Sequence, residues 1–285
     1  MEVMLAQKRR VRSPVGAGMF YPEDRLELLN KIKSFGLEKG QIPGEQNKHG
    51  IGVRAIIAPH GAWGYSGQLT ADVFSSAMTG NSIKRVVILG PIHDKREKGL
   101  FLSNSHSFNT PIGDILVDHE ITEELEFSGE SFEINDIPHL GEHSIEILLP
   151  FVKYCFPNAS IVPILMGRPG AQYIYDLAQA LKTVITPIIN ETLIVVSCNL
   201  STNKDDKLAH LFARECLNLF SEKNAAALTG AILEGRLNAC GGALVVSLIE
   251  SGLLDGTTAS HKSSLVSACS SENNITYYGS LLYHA

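Results

Sequence analysis

Ile56-Ile57-Ala58-Pro59-His60 and Val87-Ile88-Leu89-Gly90-Pro91-Ile92-His93 each run from apolar residues through a proline to a histidine. Short apolar runs of this kind read as strands of a parallel sheet buried on both faces. In an open α/β sheet the carboxyl ends of the strands face the ligand crevice, so both imidazoles are placed to converge there. Histidine is the commonest metal ligand, and its neutral ring serves Zn, Fe, Cu or Ni. A lone histidine at a strand end equally serves to hydrogen-bond a loop. The matching context of the two points to half of a metal site.

Outward from these two strands, apolar, often β-branched runs recur at 53–58, 85–89, 161–166 and 193–196. Helical stretches lie between them, at 66–78, 142–156 and 173–185, which is the alternation of βαβ units. The expected fold class is therefore α/β, a central, mostly parallel sheet flanked by helices. Asp24 caps a helix carrying Leu26, Leu28, Leu29 and Ile32 and running to about residue 39, and a polar, Gly-rich loop follows over 39–52. The 100–118 stretch, broken by Thr110-Pro111 and Gly113, reads as a β excursion. The last third supplies helices at 207–220, 225–234 and 242–249, then a Ser-rich strand pair at 263–268 and 275–282. No internal repeat, low-complexity tract or long linker interrupts the chain, so one domain over 1–285 is expected.

Of 285 residues 44% are hydrophobic, enough for a large core. Lys+Arg 24 against Asp+Glu 30 leaves a net charge of -6, so the positive field that binds a nucleic-acid backbone is missing. The cationic start at Lys8, Arg9 and Arg10 precedes no apolar signal region, and no apolar run approaches the roughly 20 residues of a membrane helix. Cys155, Cys198, Cys216, Cys240 and Cys269 form no CxxC pair and no disulfide spacing. They read as reduced thiols of a cytoplasmic protein.

Four further stretches carry residues fit for chemistry. Gly61-Ala62-Trp63-Gly64-Tyr65-Ser66-Gly67 follows the first histidine, with glycines that permit close backbone approach and Trp63 and Tyr65 to wall a pocket; it reads equally as a tight turn with two packed aromatics, ahead of a helix capped by Ser66. His139-Leu140-Gly141-Glu142-His143-Ser144-Ile145-Glu146 sets His143 and Glu146 three apart on a helix, a spacing that pairs them, while solvated or capping roles are the usual fate of Glu142 and Glu146. Ser197-Cys198-Asn199-Leu200-Ser201-Thr202 ends another core strand and offers hydrogen-bonding side chains. Asn238-Ala239-Cys240-Gly241-Gly242 places Cys240 near a helix N-terminus, where the dipole favours thiolate.

Together these stretches resemble the Memo family, an arm of the superfamily that includes the LigB-type class III extradiol ring-cleavage dioxygenases. The matching segments are 12–22, Ala58-Pro59-His60 through Tyr65-Ser66-Gly67, Leu89-Gly90-Pro91-Ile92-His93, Thr110-Pro111-Ile112-Gly113, Glu142-His143-Ser144-Ile145-Glu146 with Leu149-Pro150-Phe151, and Cys240-Gly241. The resemblance implies a LigB-like fold and a metal site of His60, His93 and Cys240. In the ring-cleaving relatives a carboxylate is the third ligand of Fe(II). A cysteine there implies a softer metal set in which Fe(II), Cu and Zn all fit, with no organic cofactor.

Two departures bear on catalysis. The family strand end resembles Ser-Ser-Asp-Leu-Ser-His, whereas here Asn199 and Thr202 replace the carboxylate and the imidazole. Extradiol ring cleavage needs a proton acceptor for the substrate hydroxyl, and this replacement argues against it. His143 or His139 is left to stand in. The expected function is a metal-dependent oxidoreductase, dioxygenase-like, with His143 as acid or base and Trp63, Tyr65, His139 and Asn199 around the substrate. The alternative is a catalytically silent adaptor holding a small molecule or peptide; by resemblance, AMMECR-type and radical SAM proteins are partners. A zinc hydrolase fits the open site but lacks an obvious general base.

Overall fold

The four apolar runs lie side by side in the computed structural model, which describes residues 10–37, 52–78, 82–94, 96–261, 265–269 and 273–285. Lys8, Arg9 and nearly all of the expected 39–52 loop fall outside these. With strands numbered along the chain, β2 (Val53–Ala58), β9 (Thr192–Ser197), β3 (Arg85–Pro91) and β8 (Ser160–Met166) are parallel neighbours in that order. Each edge joins this core through an antiparallel pair. β14 (Leu281–His284) and β11 (Thr258–His261) extend the sheet beyond β2, while β4 (Leu100–Leu102), paired with β7 (Phe132–Ile134), extends it beyond β8.

Alternate side chains of the central strands feed two cores, as the two-residue repeat of a strand requires. Ile57, Val87, Leu89, Ile194 and Val196 pack with Leu244, Val245 and Leu248 of the helix Gly242–Glu250. Ile56, Ile88, Leu193 and Val195 pack on the other face with Phe74 and Phe151. Full burial of each such aliphatic side chain is worth about 1.5–3 kcal/mol.

Two small sheets complete the strand set. β1 (Val11–Arg12), β5 (Ser107–Phe108) and β6 (Ile115–Leu116) form one, so the 100–118 excursion is β structure divided between sheets. β10 (Ser201–Asn203), β13 (Ile275–Tyr278) and β12 (Val266–Cys269) form the other. The single strand expected over 275–282 is thus broken at Gly279-Ser280, β13 serving the small sheet and β14 the large one. Ser263 lies outside the described residues.

Helix boundaries depart from the sequence pattern where side chains compete for backbone groups. Asp24 caps as expected, accepting from the amides of Leu26 and Glu27, but the helix Arg25–Ser34 stops well before residue 39, where the Phe35 and Gly36 amides turn back on the Ile32 and Lys33 carbonyls. Ser66 caps nothing: the helix Trp63–Ala77 has already begun, and its hydroxyl donates to the Gly61 carbonyl at 2.8 Å. The helix expected over 142–156 is two shorter pieces, Glu146–Leu148 and Leu149–Cys155, and a separate short helix, Ile137–Gly141, ends just before it. Glu142 is extended, at φ -89 and ψ 132, and its own carboxylate takes the amides of His143 and Ser144, both at 2.8 Å.

Glu146 is buried rather than solvated, and its hydrogen bonds go to partners other than His143. It forms an ion pair with Arg12 and accepts from the amides of Val15 and Gly16 and from the Tyr21 hydroxyl. Arg12 also donates to the carbonyls of His139 and Glu142, at 3.0 and 2.8 Å. These bonds lash the segment from Arg12 to Tyr21 across the molecule. Glu146→Gln leaves the Arg12 charge buried without its counter-charge, and a urea melt is expected to show a loss of about 3–5 kcal/mol against wild type; a change below roughly 1 kcal/mol contradicts this role.

Candidate metal centre

Strand order determines which side chains meet. β9 lies between β2 and β3, so Ser197 at its end stands between the two histidines that follow its neighbours. His60 is buried, with Nδ1 2.7 Å from Ser197 Oγ. That hydroxyl donates its one proton to the Ser144 carbonyl at 2.7 Å. It must therefore accept from His60 Nδ1–H, which leaves a bare lone pair on Nε2. His60 Nε2 lies 3.3 Å from Cys240 Sγ.

His93 is oriented by a carboxylate. Its amide and its Nδ1 both donate to Glu142, at 2.7 and 2.9 Å, while its far nitrogen faces Cys240. Burial opposes ionisation of Glu142, but the His93 hydrogen bonds and charge outweigh it and bring the pKa down to about 2. Burial likewise works against protonated His93, and its hydrogen bonds to Cys240 and Glu142 overcome that, raising it to about 10. Cys240 is held by the Asn199 backbone, accepting from its amide at 3.1 Å and donating its own amide to that carbonyl at 3.3 Å. Burial again opposes its ionisation, yet the Cys198 thiol and the imidazoles of His60 and His93 hold it well below the ordinary thiol value.

One atom from each of His60, His93 and Cys240 lies within 4.8 Å of the other two. Tetrahedral bonds of metal–nitrogen and metal–sulfur length place nitrogen and sulfur about 3.5 Å apart, so a 3.3 Å contact fits a shared ion with little rearrangement. Both histidines use Nδ1 for orientation and present Nε2, as metal-ligating histidines do. His93, Glu142 and His143 form a second close group. Glu142 Oε1 already accepts from His93 Nδ1 and from the amides of His143 and Ser144, and Oε2 accepts the His93 amide, so the carboxylate serves as an orienting group.

His143 joins the site as a third imidazole. Its ring stacks between Phe20, at 4.8 Å, and His93, at 4.6 Å, with Nδ1 3.2 Å from Glu142 Oε1. Burial lowers its pKa to about 4, against the pull of Glu142 and with help from the charges of His93 and His60. Asn199 is also present, but as a brace: Oδ1 accepts the His60 amide at 3.0 Å.

The structure does not bring His139 or Trp63 to the cluster. His139 is buried with Nε2 on the Phe101 carbonyl at 3.1 Å and its ring against Phe108. Trp63 packs on Phe151 with centroids 4.4 Å apart and donates Nε1 to the Ile147 carbonyl, a core residue behind the site. Tyr65 is solvent-exposed. Thr202 Oγ1 is occupied by Thr276 Oγ1 at 2.9 Å.

Sequence reasoning missed Ser197, the orienting part of Glu142, Phe20 and Tyr278. Tyr278 lies over the His60 loop, where a Cβ on Gly61 would fall 2.7 Å from its ring, so glycine is required there. Burial and then the nearby Cys240 raise its pKa. Ser197 had one readable signal, its place at the end of a core strand between two histidine-ending strands. Phe20 was marked only by lying in the family-matching segment 12–22, and Tyr278 by nothing.

The sequence profile described as "Memo-like protein" matches residues 12–278. This chain belongs to the Memo family. Among curated relatives, the MEMO1 family protein MTH_45 of Methanothermobacter thermautotrophicus is 26% identical over 251 residues, covering 87% of this chain and 90% of its own. A MEMO1 family protein of Thermotoga neapolitana is 32% identical over 201 residues, covering 69% of this chain and 72% of its own. A solved structure, that of uncharacterized protein JW3007 from Escherichia coli K12, aligns with TM-score 0.48 and 11% identity over 80% of this chain and 98% of that one. No helix among the described residues of this Memo-family chain is long and apolar enough to cross a membrane.

Burial holds His139 at a pKa of about 4, below the value of about 6.5 expected in the unfolded chain. The unfolded state then takes up a proton that the folded state refuses, so this contribution is intact above roughly pH 6.5 and is lost as pH falls through about 4. Between about pH 7.5 and about pH 4.5 the loss amounts to about 2–3 kcal/mol. His139→Gln, which keeps a donor for the Phe101 carbonyl, is expected to show a shallower decline by that amount in urea melts at the two pH values. Parallel declines would assign the acid sensitivity elsewhere.

Proposed function

We propose that this chain binds one divalent metal ion through His60, His93 and Cys240 and uses it in redox chemistry on a small molecule, with His143 handling the proton. The observation that carries this reading is the commitment of both Nδ1 atoms, one to Ser197 and one to Glu142, which turns both Nε2 atoms toward the sulfur of Cys240. A donor set of two imidazoles and one thiolate suits Fe(II), Cu or Zn. When bound, such an ion supplies Lewis acidity or electron transfer at a coordination position left open by three protein ligands.

The chain's own residues do the rest. Ser197 and Glu142 keep the two rings in one tautomer and one orientation. His143 has Nδ1 turned to Glu142, so Nε2 is the nitrogen left to accept a proton from a substrate hydroxyl. Phe20 covers the outer face of that ring and limits water there. Extradiol ring cleavage is disfavoured, because Thr202 offers no proton acceptor and its hydroxyl is already bonded. Hydrolysis is disfavoured too: Glu142 and Glu146 are both engaged by buried hydrogen bonds and neither is left to activate water.

Metal analysis on tag-free protein purified without chelator tests the reading. Wild type is expected to hold close to one ion per chain, and His60→Ala and Cys240→Ser to hold none. Ser197→Ala and Glu142→Gln, which keep the ligands but free their rings, are expected to weaken affinity by about 10–100-fold. Wild type that is metal-free and fails to take up Fe(II), Cu or Zn would leave the second reading, a Memo fold kept for holding a small ligand or peptide.

A further inference from the structure

Cys240 has a sulfur neighbour that the metal site does not use. Cys198 follows the last residue of β9, is fully buried in the core on the Leu244 side, and is absent from the group of converging ligand atoms. Both sulfurs nevertheless rest on one atom: Cys198 Sγ lies 3.3 Å and Cys240 Sγ 3.6 Å from the Asn199 carbonyl oxygen. The loop carrying Cys240 presses directly on Cys198. A Cβ on Gly241 would fall 2.7 Å from Cys198 Cβ and 3.1 Å from its sulfur, so only a glycine beside Cys240 permits this approach.

The two thiols differ in access. Cys240 is half-buried, whereas Cys198 has no exposure. A small oxidant entering the pocket therefore meets Cys240 first and finds Cys198 directly behind it. Cys216, the other buried thiol nearby, has its sulfur on the Leu200 carbonyl instead, at 3.3 Å.

We propose that Cys198 and Cys240 are a peroxide-reactive pair, in which oxidation joins them in a disulfide and withdraws Cys240 from the metal-binding set. Hydrogen peroxide is the oxidant. The Cys240 sulfur attacks one peroxide oxygen; an S–O bond forms, the O–O bond breaks, hydroxide leaves, and the sulfur is oxidised by two electrons to the sulfenic acid. Cys198 then gives up its thiol proton and attacks the Cys240 sulfur. The S–S bond forms, the S–O bond breaks, and the hydroxyl leaves with that proton as water. Without a resolving thiol the sulfenic acid proceeds to sulfinic acid, which thiols do not reverse.

The loss of metal rests on the metal-site reading above; the sulfur chemistry does not. The test exposes the full chain, chelator-treated and metal-loaded, to hydrogen peroxide, then reads cysteine linkage by non-reducing peptide mass spectrometry and bound metal by elemental analysis. Expected are a Cys198–Cys240 linked peptide in wild type, the same peptide in Cys216→Ser, and its replacement by sulfinic Cys240 in Cys198→Ser. In metal-loaded wild type, linkage and metal release should rise together, and dithiothreitol should restore uptake. Wild type that yields sulfinic Cys240 with no linked peptide overturns the pair, as does a link from Cys240 to Cys216; neither result depends on how a variant folds. A linked peptide in protein that never takes up metal would support the pair and remove the metal site. Full metal occupancy with no linked peptide, loaded or stripped, would remove the pair alone.

Discussion

The Glu142 carboxylate, itself buried, accepts four N–H groups, from His93 main chain and ring and from the amides of His143 and Ser144. Those four bonds outweigh its desolvation and keep it ionised, and Glu142 itself is extended between two helical pieces. This extended turn is what connects the two halves of the metal centre. Glu142 orients His93 directly, while the Ser144 carbonyl takes the Ser197 proton and so dictates the tautomer of His60. Ser144 Oγ closes the arrangement by donating to the Pro91 carbonyl at the end of β3.

A second buried carboxylate depends on the same turn. Glu146, four residues on, is neutralised by Arg12, which also satisfies the carbonyls of His139 and Glu142. Isolated, either charge would cost several kcal/mol to bury. Paired and hydrogen-bonded on all sides, they anchor the N-terminal segment so that Phe20 lies flat on His143. The aromatic cover of the pocket is thus positioned by electrostatics some residues away, and the stretch 12–22, which carries no chemistry of its own, is tied to the site through it.

Composition and periodicity exposed the scaffold because a strand buried on both faces is largely apolar, as 53–58, 85–89, 161–166 and 193–196 are. His60 and His93 were visible for the same reason, each being the first strong polar group past such a run. Reading failed where one side chain overrode a local pattern. The apolar spacing at 142–156 is helical, yet Glu142 is extended and the helical turns begin only at Glu146. Residues 275–282 read as one strand, yet Gly279-Ser280 divides them between two sheets. Trp63 and His139 looked like pocket walls beside the motifs that carry them, and both turned inward, since a large ring gains more from Phe151 or Phe108 than from a wet crevice.

The sequence by itself determined the α/β scaffold, the family, and the three residues fit to hold a metal, because those follow from period, residue chemistry and motif order along one chain. Only the tertiary structure decided which groups orient those three, that His143 joins them, and that Cys198 lies behind Cys240. Each of these is a contact between segments roughly 40 to 180 positions apart. Strand order, not spacing, brings such segments together: β9 inserts between β2 and β3, and only then do Ser197, Cys198 and Asn199 acquire their partners.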